Sequence, residues 1–261
     1  MAQPVEPLYR LPETSTRSVL VFDMEQEAWR ATGSPGFWMK PVRHDAEQGL
    51  FLGLIRFERG TRSGLHQHQG VATSFVIDGG LTDYQGPVLL HEAGINRLGS
   101  THDAVAFRDT ILVSRLEGLV TYPPEGEITG VHAGSRHASV RNPDPNVPPE
   151  TNVPVDALAK LETGIDGVLG QMIFDYAGTG SGHRMVQLSI RPETTFEFEA
   201  GALTEFWVRG GLAAFNDQPV HADCFVICEP GARVTVRSPF GALLLAWADG
   251  REKSSGNLFG F

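Results

Sequence analysis

Short apolar or alternating runs, separated by glycine-containing turns, recur along the whole chain. Residues 49–58 read GLFLGLIRFE, residues 73–79 TSFVIDG and residues 110–122 TILVSRLEGLVTY. Runs of this length, bounded by Gly and rich in β-branched and aromatic residues, are strand patterns. Many short strands without intervening helical patterns predict an all-β protein whose antiparallel sheets fold into a sandwich or a jelly-roll barrel. One stretch alone, VDALAKLE at residues 155–162, predicts a helix.

The pattern also occurs twice. Gly79-Gly80-Leu81 in VIDGGL returns as Gly210-Gly211-Leu212 in WVRGGL, Gly99 as Gly231, and Gly118 as Gly250, each following a similar apolar run and each 131 or 132 residues later. A single inserted residue would keep the two copies in register, and such self-similarity is the signature of a duplicated unit. Between the copies, RNPDPNVPPETNVPV carries Pro143, Pro145, Pro148, Pro149 and Pro154, a density that excludes helix and central strand. The expected division is therefore an N-terminal domain at 1–140, a linker at 141–155 and a C-terminal domain at 156–261.

Composition narrows the function. With 21 basic and 31 acidic residues the net charge is −10, and no Lys/Arg stripe could neutralise phosphates, which argues against nucleic acid and anionic membranes as partners. The first residues, MAQPVEPLYRLPETSTRSVLVF, have neither a basic start nor a continuous apolar region, so a cytoplasmic protein is expected. Cys224 and Cys228, four apart in CFVIC, read as buried inert thiols rather than a disulfide framework.

The chemistry concentrates in GTRSGLHQHQGVATSFVIDGG, residues 60–80. On a strand, side chains alternate faces, so His66 and His68 point the same way and Gln67 the other, which suits two ligands on one cation. Neutral imidazole suits Zn, Fe, Ni or Cu. The alternative is a surface strand with histidine at alternate polar positions.

The spacing Gly60-x5-His66-x-His68-x4-Thr73-x6-Gly80 resembles the first cupin motif, G-x5-H-x-H-x(3,4)-E-x6-G, and Gly99-Ser-Thr-His102 resembles the end of the second. The chain thus resembles a bicupin over nearly its whole length. The order Trp29, Pro35-Gly36-Phe37, Leu54-Ile55-Arg56, His66-x-His68 and Gly79 is similar to the cupin group that contains 2,4'-dihydroxyacetophenone dioxygenase and the zinc-binding cupin of certain anti-sigma factors. The resemblance implies two jelly-roll barrels, a homodimer, and one divalent transition metal in the N-terminal copy on His66, His68 and His102, with Fe(II) favoured and Zn or Ni also possible.

The motif's glutamate is Thr73 here. Three neutral imidazoles leave a divalent site at +2, where two histidines and a carboxylate leave it at +1, so an anionic chelator is attracted more strongly. By resemblance, such sites belong to dioxygenases that cleave a carbon–carbon bond in a small enolisable diketone or hydroxyketone. A metal-loaded sensor, and an isomerase or lyase using the metal as a Lewis acid, would draw on the same residues. Tyr84 and Arg62 are candidate catalytic groups in the pocket. Asp103 could orient His102 or face solvent, and the pair His91-Glu92 could reach the barrel mouth. In the second copy the histidine pair maps to Glu197 and Glu199 and His102 to Val234. With Glu205 these acids could form an oxygen-rich cation site or simply be solvated.

Overall fold

A computed structural model describes residues 6–83, 86–98, 100–122, 151–175, 184–248, 253–254 and 258–260. They form two compact units, each built from antiparallel strands. No helix among the described residues is long and apolar enough to cross a membrane.

In the first unit, a seven-stranded sheet runs in the order Thr151–Pro154, Glu92–Asn96, Ala72–Asp78, Thr110–Glu117, Leu50–Phe57, Phe37–Asp45 and Arg30–Ala31. Two three-stranded sheets complete it. One places His66–His68 between Thr101–His102 and Val120–Thr121; the other places Gly80–Asp83 between Val105–Ala106 and Gly86–Leu89. The face that carries Val76, Leu112 and Ile55 packs on Phe57, Leu81, Val88 and Ala104.

The second unit has a seven-stranded sheet ordered Val19–Asp23, Cys224–Cys228, Thr204–Gly211, Ala242–Ala248, Arg184–Ile190, Val168–Asp175 and Leu161–Glu162, and a five-stranded sheet centred on Arg233–Ser238. Phe196, Phe198, Phe206, Phe215 and Phe259 fill its core with Val208, Val234 and Val236.

The expected boundary is crossed twice. Residues 11–27 belong with the second unit, where Val19–Asp23 pairs in full register with Cys228–Cys224. Residues 151–156 belong with the first, where Thr151–Pro154 forms an edge strand against Glu92–Asn96. Pro154 is compatible with that edge, where a missing N–H costs no ladder bond. Residues 141–150 of the expected linker lie outside the described residues. The helix expected at 155–162 is a single 3-10 turn, Val155–Ala157, followed by the strand Leu161–Glu162. Pairing of Leu161 and Glu162 with Gly170 and Leu169 overrides local helix propensity.

Glu229 anchors residues 11–27 to their unit. Almost fully buried, its Oε2 accepts from the Thr16 N–H at 2.8 Å, the Thr16 hydroxyl at 2.6 Å and the Ser18 N–H at 3.2 Å. Glu229→Ala strands these donors. The expected loss is about 3 kcal/mol of stability, read as a lower urea midpoint together with faster proteolysis within residues 11–27.

Candidate metal centre

Strand pairing assembles the three histidines. His102 lies directly across from His66 in the antiparallel ladder, and alternation brings His68 to the same face. All three are buried. The Nε2 atoms converge, with His66 to His68 at 3.2 Å and His68 to His102 at 3.0 Å. Two nitrogens each about 2.1 Å from one ion stand about 3.0 Å apart at a right angle and about 3.4 Å at the tetrahedral angle, so this spacing fits a shared cation.

The other ring nitrogens fix the tautomers. His66 Nδ1 lies 2.7 Å from the Gly64 carbonyl and His102 Nδ1 lies 3.0 Å from Asp83 Oδ2. Neither oxygen can donate, so each Nδ1 carries the proton and each Nε2 presents a lone pair to the common point. Burial, reinforced by the neighbouring imidazoles, lowers the His66 pKa to about 4 and holds His68 well below the usual histidine value. Lone pairs crowded together in a buried place are a donor set for a transition metal. Asp83 is an outer partner of the kind whose removal typically costs 10- to 100-fold in metal affinity. Asp83→Asn is expected to fall in that range when titrated with Zn(II) against a competing chelator.

The centre opens on a cavity of about 530 Å³ in the first unit. Phe37, Met39, Ile55, Phe57, Leu81 and Leu112 give it an apolar wall, Ser74, Asn96 and Ser114 add neutral polar groups, and among the described residues no Lys or Arg lines it. Tyr122, mostly exposed, holds its ring 6.1 Å from that of His66.

Thr73 is not the inward residue. Along Ala72–Asp78 the core-facing Val76 fixes the phase, so Ser74 and Ala72, paired with Ser114 and Leu116, turn their side chains to the cavity, while Thr73 between them borders it from the other face of the strand. A Cβ on Gly94 would lie 3.1 Å from Ser74 Oγ, which places those two on one face. Thr73 sits opposite the buried Arg115 on the other face, beside Phe75. The motif's variable spacing, three or four residues after the second histidine, resolves to three. Ala72, with no donor atom, occupies the carboxylate position.

The remaining candidates divide. Arg62 does not line the cavity; its exposed guanidinium pairs with the buried Asp103, Nε to Oδ2 at 2.9 Å. Asp103 therefore neither orients His102, a role Asp83 takes, nor faces solvent. His91 stacks on Phe75 and pairs with Asp156 at 3.0 Å, while Glu92 accepts the Leu89 N–H at 2.8 Å, so neither reaches the centre. Tyr84 lies outside the described residues. Sequence reasoning missed Asp83, Tyr122 and the serines; for Asp83 the available signal was its same-face spacing from Leu81 on the strand Gly80–Asp83.

The second copy is in register at 132 throughout, without an insertion. His102 pairs across with His66, and Val234 pairs across with Phe198. The left-handed turn glycines are Gly79, φ 78°, and Gly211, φ 81°. At those turns the ideal Cβ would come within 2.0 Å of the Asp109 carbonyl and 2.2 Å of the Gly241 carbonyl respectively, so only glycine fits either. The histidine positions thus become Phe198, Ala200 and Val234, all in the apolar core. Glu197 is exposed and Glu199 partly so, while the buried Glu205 corresponds to the outward Thr73. The three acids form no common grouping among the described residues.

Comparison with known proteins agrees with this architecture. Residues 17–120, less than half of the chain, match the ChrR Cupin-like domain family. Comparison with curated proteins gives no significant match. Among solved structures, a Nostoc punctiforme protein provisionally described as a dioxygenase superposes with a TM-score of 0.70 at 14% identity, over 93% of this chain and 88% of that one. Oxalate decarboxylase from Bacillus subtilis gives 0.62 at 12% identity, over 94% and 81%. Salicylate 1,2-dioxygenase from Pseudaminobacter salicylatoxidans gives 0.61 at 12% identity, over 86% and 76%. The chain has the cupin fold in duplicate, with a three-histidine grouping in its first barrel.

Proposed function

We propose that this protein is a metal-dependent dioxygenase that cleaves a carbon–carbon bond in a small enolisable diketone or hydroxyketone. One observation carries the reading: three imidazoles converge on an apolar cavity whose inward carboxylate position is Ala72. His66, His68 and His102 would hold the metal, with Fe(II) favoured over Zn or Ni. When bound, the metal would supply Lewis acidity and coordination positions for substrate and dioxygen.

The chain's own residues set the rest. Gly64 and Asp83 keep the Nδ1 protons in place, so each ring stays a donor. The aromatic and aliphatic wall excludes water and takes up an uncharged body, while Ser74, Ser114 and Asn96 offer hydrogen bonds to a substrate oxygen. Among the described residues the lining has no Lys or Arg to act as counter-ion for a free dicarboxylate, which favours a ketone whose enol proton leaves on binding over a substrate such as oxalate. The protein is proposed to work as a cytoplasmic homodimer.

A second reading has its own support. The match of residues 17–120 to the ChrR Cupin-like domain favours a metal-loaded sensor without turnover. An oxygen electrode separates the two. Protein reconstituted anaerobically with Fe(II) is expected to consume oxygen with members of a panel of 2,4-diketones and hydroxyacetophenones. Full metal loading without oxygen uptake on any of them would overturn the dioxygenase reading.

A further inference from the structure

A second set of metal-type donors lies in the other barrel. Asp23 ends the strand Val19–Asp23, and the antiparallel register sets it directly opposite Cys224, the first residue of Cys224–Cys228. His221 precedes Cys224 by three residues across a tight turn, in which the Cys224 N–H donates to the His221 carbonyl at 3.1 Å and Asp223 adopts φ 66°. One ligand atom from each of the three lies within 4.8 Å of the other two.

The convergence of three donor types suits a bridging cation. His221 Nδ1 lies 2.9 Å from the Ala222 carbonyl, so it carries the ring proton. In the neutral ring Nε2 is then a lone pair, and it faces Asp23 Oδ2 at 3.6 Å, an oxygen that also accepts from Gln26 Nε2 at 2.7 Å. A proton on Nε2 would make this contact an ion pair, and a metal ion would be held by both atoms. Donors on one tetrahedral ion stand about 3.3–3.8 Å apart, and thiolate, imidazole and carboxylate together are a zinc-type set. Cys224 is buried, whereas His221 and Asp23 are partly exposed, so an ion has a route in from solvent.

We propose that Asp23, His221 and Cys224 bind one divalent ion of the zinc class, with a fourth position open to water. The ion ties the strand Val19–Asp23 to the strand Cys224–Cys228. Burial, with Asp23, Asp223 and Glu25 nearby, raises the Cys224 thiol pKa, so binding must displace its proton and release it to solvent. Cys228 is fully buried and belongs to no such grouping among the described residues, so it stays inert.

Co(II) titration of the metal-free full-length chain tests this, because a cobalt–thiolate bond absorbs in the near ultraviolet and cobalt held by imidazoles does not. Wild type is expected to take up two equivalents and develop that band. His68→Ala should keep the band while taking up one equivalent, which separates this site from the first barrel. Cys224→Ser and His221→Ala should lose the band, and Cys228→Ala should keep it. His221 is half-exposed, so its replacement leaves folding intact. A wild type without the band, or a band that survives His221→Ala, would overturn the proposal.

Discussion

His68→Ala is expected to lose metal and oxygen uptake together. Removing even an outer partner of a ligand costs 10- to 100-fold in metal affinity, so loss of the central imidazole, whose Nε2 stands within 3.2 Å of both others, should exceed about a hundredfold. Competition with a chelator reads the affinity, and the oxygen electrode reads the activity. The double variant Glu197→Gln/Glu199→Gln in the second barrel is the control, since those side chains face outward and should leave both unchanged. Retention of wild-type metal affinity by His68→Ala would place the ion elsewhere.

Ala72→Glu should have the opposite effect on the metal. A carboxylate extended from this inward position into the cavity lowers the site charge from +2 to +1 and takes a coordination position. Resting metal affinity is expected to rise on the order of tenfold or more, while apparent affinity for an enolisable ketone falls by a similar factor, having lost both attraction and a vacant position. Thr73→Glu, one residue on, faces Arg115 on the other side of the sheet and should cost fold stability without changing metal affinity. If instead Thr73→Glu tightened the metal and Ala72→Glu did not, Thr73 would be the inward residue and the strand would run in the opposite phase.

That pair of substitutions also marks how far the sequence was legible. Strand-length apolar runs and paired glycines were enough for an all-β chain of two like units, because periodicity and left-handed turns are local properties. His66, His68 and His102 were legible for the same reason, since their spacing survives in a single strand and one return strand. Phase was not. The motif allows either Ala72 or Thr73, and only the packing of Val76 in the core decides between them. The same ambiguity sent the histidine positions of the second copy to Glu197 and Glu199, whereas the cross-strand partner of Val234 is Phe198. Asp83 and the capture of residues 11–27 by the second unit depend on pairing between distant segments. Glu229 holding Thr16 leaves no trace in either neighbourhood of the sequence.

The measurement that bears most directly on the centre is X-ray absorption at the metal edge of the Cys224→Ser protein loaded with one equivalent of Fe(II). Removing Cys224 silences the second proposed site. The expected first shell is three imidazole nitrogens completed by water oxygens, with the outer-shell scattering of three rings and no protein carboxylate. A shell with fewer than three imidazoles would contradict the assignment of His66, His68 and His102 as the metal ligands.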